Sequence, residues 1–485
     1  MSRGKVTMSR FDYRKTKIVA TIGPASSSPE TLTKLIKAGL NVARLNFSHG
    51  LREEHQAKIE LIRSLGREAG FEVGILQDLS GPKLRLGEIR DRVLEAGTSV
   101  RLVPGTEETD EALPVNYQYL LEDVAVGEMV LLFDGKISLK VTAKDDRALV
   151  CEVITGGALS SHKGVNLPHS TLRIPAFTEK DRSDLTVGLE AGVDFVAMSF
   201  VRSAQDLIPV REMMARSSRP PLLIAKIEKP QAVEAIAEIL EVVDGIMVAR
   251  GDLGVEMPIE EVPVTQKKLI HAARRRGRLV ITATQMLGSM VSNPLPSRAE
   301  VTDVANAILD GTDAVMLSEE TAVGQYPVKA VRMLDKVARQ TEPILENRAF
   351  LHEEQSSLID PVAGPITRAV ALLATDLRSK AIVAASQSGG TVRLVSHLRQ
   401  SVPVVGLTSN IATYRQLTLS WGVMPALIQP CDSIVLLEQL SSEWLVRHGI
   451  AAKGDRVFLT CGLPLQTSGA TNLIKLIDIG ESAGF

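Results

Sequence analysis

Short apolar, β-branched runs alternate along this chain with longer capped stretches of helical character, and the alternation predicts strands that each feed a helix. The runs fall at 17–22, 42–46, 73–78, 194–199, 222–226, 244–249, 279–282 and 313–317. Between them lie helix signals. Ser28 reads as an N-cap before Pro29, Gly39 closes that helix, Ser297 and Glu300 form a capping-box pattern, and Pro230 and Pro327 sit where first helical turns begin. Eight strands with their helices predict a (β/α)8 barrel. An open doubly wound sheet is the alternative, but no glycine-rich dinucleotide fingerprint follows the first strand.

Polar residues interrupt these runs mainly at their carboxyl ends, where barrel active sites lie. Arg44, Asn46 and Ser48 end the second run, Asp78 the third, Ser199 the fourth, and Lys226 with Glu228 the fifth. Asp252 follows the sixth, Thr284 the seventh, and Ser318 with Glu320 the eighth. Each alone reads as a turn residue or cap; gathered at one rim, they predict a site.

Two stretches break the pattern. Residues 87–176 read as short strands and turns, with Asp134-Gly135 as a hairpin signal, and predict a small β-barrel domain inserted at the rim, either a lid or an inert module. Lys163-Gly164, near its end, is a candidate to close over a phosphate. Past 346 the pattern restarts as a C-terminal α/β domain to residue 485. Its loop Ser386-Gln387-Ser388-Gly389-Gly390-Thr391 reads equally as an anion-binding turn and as an unliganded one. The predicted divisions are a tail over 1–16, the barrel over 17–86 and 177–346, the insertion over 87–176 and the C-terminal domain over 347–485.

Composition narrows the function. Lys plus Arg number 55 against 57 Asp plus Glu, a formal charge of −2, so nothing global points to nucleic acid or a membrane surface. The three cysteines are far apart and in no metal-ligand spacing, which fits a reducing cytoplasm without disulfides. No run is long enough to cross a bilayer. The opening stretch through Lys17, with six basic residues and one acid, reads as a solvated tail rather than a transit peptide because it is short.

The sharpest chemistry lies at 224–230 and 248–254. Side chains two apart on a strand share a face, so Lys226 and Glu228 converge while Ile227 points away. Asp252 can bring a second carboxylate, and two carboxylates with room for water and substrate oxygens suit magnesium. The lysine beside them suits phosphoryl or enolate chemistry.

From about Thr16 to its end the chain resembles pyruvate kinases. The motifs are Lys17 to Pro24, Asn41 to Gly50, Asp78 to Lys83, His162 to Pro168, Lys226 to Glu228, Arg250 to Gly254, Ala283 to Leu287, Ser297 to Val301 and Met316 to Ser318. The resemblance implies transfer of the phosphoryl group of phosphoenolpyruvate to ADP, giving ATP and an enolate that is protonated to pyruvate. It implies that Arg44 and Lys226 neutralise the transferring group and that Glu228 and Asp252 hold magnesium. Gly251 and Asp252 would offer amides to the substrate carboxylate, and Thr284 would relay a proton. Asn46, Arg85 and Lys163 would contact nucleotide phosphates, with a second magnesium arriving on ADP. It also implies a cytoplasmic homotetramer, and an effector site at Ser386, Ser388, Gly389 and Thr391. Gly390, and a loop 467–471 lacking arginine and tryptophan, favour AMP or a sugar monophosphate as activator. Asn46, Ser48, Asp78 and the carbonyl of Leu79 match the family's potassium ligands. Potassium-dependent members carry glutamate where this chain has Lys83, so the expectation is that the Lys83 ammonium replaces the ion. Three departures stand out: Glu319 for a usual glycine, Ser80 for a common lysine, and Gly390 for a common arginine. A magnesium-using barrel lyase or aldolase, and a non-enzymatic sugar-phosphate binder, are the competing readings.

Overall fold

A computed structural model of the chain describes residues 13–107, 112–168, 170, 172–345, 360–465 and 471–480. The eight predicted strands are present as Lys17–Thr21, Val42–Asn46, Gly74–Asp78, Phe195–Met198, Leu222–Ile227, Gly245–Ala249, Leu279–Ala283 and Ala314–Leu317. All pair in parallel, and Lys17 opposite Ala314 closes the ring into a barrel rather than an open sheet. Seven of the strands are buried along their whole length, because helices cover one face and the barrel interior the other. The second alone breaks the rule, at Arg44 and Asn46.

Alternate residues divide between two cores. Ile18, Ile75, Val196 and Ile246 pack outward against the helices, while Val19, Leu76, Phe195 and Met247 fill the barrel. The helix starts follow their sequence signals. Ser28 accepts a hydrogen bond from the Thr31 amide with Pro29 in the first turn, and Ser297 and Glu300 form a complete capping box.

The insertion is a six-stranded, largely antiparallel sheet in the order 165–166, 129–132, 137–144, 149–155, 99–104, 113–115. Arg85 bridges to Gly164 beside one edge strand and Leu86 to Val115 on the other, so these two residues complete a barrel-like closure. Arg85 and Leu86 stand just before the expected start of the insertion at 87. The Asp134-Gly135 turn is as expected: Phe133, Asp134 and Gly135 have φ of 54°, 55° and 80°.

The C-terminal region is a five-stranded sheet, parallel except for its last strand, Leu473–Asp478. It docks against the end of the barrel opposite the rim. Leu419 joins the barrel's inner core, and the Arg399 guanidinium, fully buried over the Trp421 ring, meets the equally buried Asp313 at 3.0 Å.

This docking corrects the expectation of a solvated tail through Lys17. Arg14 binds Asp335 at 3.0 Å and Asn41 at 2.9 Å, Lys15 Nζ donates to the carbonyls of Gln400 and Ser401, and Lys17 Nζ donates to that of Val423 at 2.7 Å. Burial pushes the Lys17 pKa down to about 7. Lys15 and Lys17 tie the barrel to the C-terminal domain, whereas Arg14 binds within the barrel, and each is tolerated because it has oxygen partners. The remainder of the expected tail, 1–12, lies outside the described residues. Cys151, Cys431 and Cys461 are buried, and among the described residues none is joined to another in a disulfide. Among the described residues no helix is long and apolar enough to cross a membrane.

Candidate active site

The carboxyl ends of the strands bring one cation into contact with three polar partners. Lys226 Nζ lies 2.7 Å from Glu228 Oε1, 3.4 Å from Asp78 Oδ1 and 2.8 Å from Ser199 Oγ. Arg44 reaches the other Asp78 oxygen at 2.7 Å and Thr21 Oγ1 at 2.7 Å. Asp78 is thus shared by two cations. Burial opposes its ionisation, but Lys226 and then Arg44 outweigh burial and hold its pKa below the usual carboxylate range. Burial likewise opposes charge on Lys226, yet Asp78, Glu228 and Asp252 together raise its pKa, so the site keeps an ammonium ion there.

Glu228 has the opposite balance. Burial, and then the nearby Asp252 charge, raise its pKa against the pull of Lys226 and of the Phe200 amide, which donates to Oε2 at 2.8 Å. A buried carboxylate disfavoured by a second carboxylate is one that a divalent cation would stabilise. Among the described residues no cluster of three or more His, Cys, Asp or Glu is arranged to hold a metal. Two carboxylates that leave the other positions to water and substrate oxygens fit magnesium, which sheds its waters reluctantly.

A cavity of about 610 Å³ separates the barrel from the insertion. Lys83, Glu228, Asp252 and Glu319 line it from the barrel, and Arg85 and Lys163 from the insertion. Lys163 Nζ sits over the Phe133 ring at 4.3 Å, and Arg85 donates to the His162 carbonyl at 2.9 Å. Lys226, Arg44, Asp78 and Thr284 are not in the cavity wall; Lys226 connects to it through Glu228, and Thr284 through Gly251, the chain neighbour of the lining residue Asp252.

Thr284 stands at φ 65°, where a β-branched side chain is an outlier costing about 1–3 kcal/mol. Its hydroxyl accepts from the Gly251 amide at 2.7 Å and donates to the Ala283 carbonyl at 2.7 Å. The Gly251 amide expected to meet a substrate is therefore engaged by Thr284 in this conformation. Arg250 clamps the strained turn from beneath, donating to the Thr284 carbonyl at 2.8 Å while paired with Asp303 at 2.6 Å.

The residues matched to potassium ligands have protein partners. Asn46 Oδ1 accepts from the Ser48 amide at 3.1 Å, and the Leu79 carbonyl from Ser199 at 2.7 Å. Lys83 is charged against its surroundings: burial first, then Lys226 and Arg85, lower its pKa, with Asp78 and Glu228 pulling the other way.

In the C-terminal domain, Ser386 and Thr391 line a small cavity of about 50 Å³ together with Gln387, whereas Ser388 and Gly389 do not. Gly389, at φ 77°, turns the chain into the helix Gly390–His397. Thr391 Oγ1 meets Thr471 Oγ1 at 2.6 Å. The rest of the loop 467–471 lies outside the described residues.

A family model described as the pyruvate kinase barrel domain matches residues 13–331, and one for the pyruvate kinase alpha/beta domain matches residues 365–477. The pyruvate kinases of Sporosarcina psychrophila and Geobacillus stearothermophilus are each 46% identical to this chain over 96% of its length and 81% of theirs. Pyruvate kinase 2 of a Synechocystis species is also 46% identical, over 79% of its own length. The chain belongs to the pyruvate kinase family.

Within that family, the departure at Glu319 leaves the backbone undisturbed. Residue 319 begins the short helix Glu319–Ala322 and is not among the positive-φ positions, so no glycine is required. Its neighbour Glu320 is a buried clamp, accepting from the Leu287 amide at 3.0 Å and the Ser318 amide at 2.8 Å, and it joins the loops after the seventh and eighth strands. Sequence reading left that role open and missed Phe200 and Arg250 as holders of Glu228 and Thr284. Phe200, at φ 56°, carries no sequence signal for its conformation, whereas Arg250 stands inside a recognised motif.

Proposed function

We infer that this chain is a pyruvate kinase, transferring the phosphoryl group of phosphoenolpyruvate to ADP and yielding pyruvate and ATP. The observation that carries the reading is the Lys226 ammonium 2.7 Å from Glu228, itself a lining residue of the cavity that Arg85 and Lys163 face from the inserted domain. Phosphoryl transfer depends on positioning and on neutralising charge over the moving oxygens. Lys226 and Arg44 supply fixed positive charge for the phosphoryl group, and their shared partner Asp78 orients both. Arg85, Lys163 and Asn46 contact the nucleotide phosphates. When bound at Glu228 and Asp252, magnesium supplies Lewis-acid stabilisation of the enolate and phosphoryl oxygens, and a second ion accompanies ADP. The Thr284 hydroxyl is a poor acid by its own pKa, so it passes the final proton from water to the enolate. An aldolase would have no use for the cations of the inserted domain, which argues against that alternative.

The direct test is ADP-dependent formation of pyruvate from phosphoenolpyruvate by the purified protein; no ADP dependence would overturn the reading. Replacing Glu228 or Asp252 by Ala is expected to raise the magnesium concentration needed for half-maximal rate as well as to slow turnover. An unchanged magnesium titration in both variants would remove them as ligands. In the family's manner we also propose a cytoplasmic homotetramer activated by AMP or a sugar monophosphate at Ser386, Ser388, Gly389 and Thr391. Titrating these metabolites at subsaturating phosphoenolpyruvate should raise the rate, and a flat response to all of them would leave the loop an unliganded turn.

A further inference from the structure

Among the polar contacts between the inserted domain and the barrel is a part-buried one that the reaction itself does not use. Asn166, on the edge strand Val165–Asn166, donates through Nδ2 to Glu256 Oε1 at 2.8 Å. The other Glu256 oxygen lies 3.1 Å from Lys229 Nζ, and both charged residues are buried, at 5% and 6% exposure. Hiding an ion pair from water brings little net stability, because desolvation offsets the attraction. A pair kept at this place therefore calls for a role in geometry.

The location supplies one. Lys229 immediately follows Glu228. Glu256 ends the short helix Arg250–Glu256, four residues after Asp252, so the two carboxylates lie on the same face one turn apart. Asn166 stands three residues after Lys163 and, like Lys229 and Glu256, lines the same cavity. The hairpin turn of the insertion rests on the same helix, where a Cβ placed on Gly135 would lie 3.6 Å from Val255. One contact thus spans the insertion and the chain neighbours of both acidic residues of the site.

We propose that Asn166, Glu256 and Lys229 form a latch that holds the inserted domain over the rim, and that they are positioning residues for the nucleoside diphosphate. The proposal rests on the transfer reaction inferred above. Asn166 is the member to change first, because its removal leaves the Lys229–Glu256 pair intact. Asn166→Ala should raise KM for ADP about tenfold, equivalent to losing a hydrogen bond to a charged group worth about 1.4 kcal/mol. KM for phosphoenolpyruvate, which sits on the barrel side, should change far less. Without substrates, amide hydrogen exchange at 165–166 should quicken. Asn166→Asp sets a carboxylate against Glu256 and should act more strongly, whereas Asn166→Asp combined with Glu256→Gln restores one amide, one carboxylate and the Lys229 cation and should recover KM for ADP. An equal rise in both KM values, an unaltered KM for ADP, or no recovery in the exchanged pair would each overturn the latch. Failure of the transfer reaction is distinguishable, because it would appear in the unmodified protein, where the exchange comparison still tests the contact.

Discussion

Lys226→Met is expected to lower turnover by roughly a hundred- to thousandfold, the usual consequence of losing a preorganised charge aimed at a transition state. Methionine keeps the length and most of the apolar stem but removes the ammonium that meets Asp78, Ser199 and Glu228. The carboxylates left behind are not orphaned. Asp78 retains Arg44 at 2.7 Å, and Glu228 retains the Phe200 amide at 2.8 Å, so the barrel should still fold, with some loss of thermal stability. The charge matters most as negative charge redistributes over the moving group, and kcat should therefore fall more than KM for phosphoenolpyruvate rises. Steady-state kinetics beside a circular dichroism melt would check this. A folded variant with near-normal turnover would show that Lys226 is only a structural counter-ion for Asp78.

How much of this could be read in advance follows from what each feature needs. The barrel strands were legible because burial on both faces writes a continuous apolar run, and Lys226 with Glu228 because a period of two fixes their common direction. The strands Leu113–Val115 and Val165–Asn166 are too short to write a pattern, and their places come from closure through Arg85 and Leu86. Lys15 and Lys17 read as solvated because a lone charge in a sequence says nothing of the carbonyls that will meet it; Gln400, Ser401 and Val423 lie hundreds of residues away. Thr284 was chosen by its motif, but its left-handed backbone and its bond to Gly251 belong to the fold. The Asn166–Glu256 contact crosses domains, so only its second half, the spacing of Asp252 and Glu256 on one helix face, was present in the sequence.

The unmodified protein should keep its activity when potassium and sodium are replaced by a bulky organic cation at constant ionic strength, and Lys83→Glu should make it potassium-dependent. Lys83 lines the cavity and interacts with Asp78 and Glu228, the carboxylates that face Lys226. Its ammonium is a positive charge already held by the chain, with no ion to capture. Reversing it to glutamate adds an anion to a site that already holds Glu228 and Asp252, and the variant should lose on the order of a hundredfold in rate without potassium, comparable to losing a positioned charge. Adding potassium should restore much of that loss. The lowered pKa of Lys83 gives a second, independent signature. Its charge is present below that pKa and is lost at a lower pH than for an ordinary lysine, so raising the pH should expose a potassium activation in the unmodified protein that is absent at neutrality. In Lys83→Arg the charge persists to higher pH, and the alkaline potassium response should disappear. Activity of the unmodified protein that collapses at neutral pH without potassium would refute the substitution of ion by ammonium. A Lys83→Glu variant equally active with and without the ion would show instead that the charge at this position is immaterial.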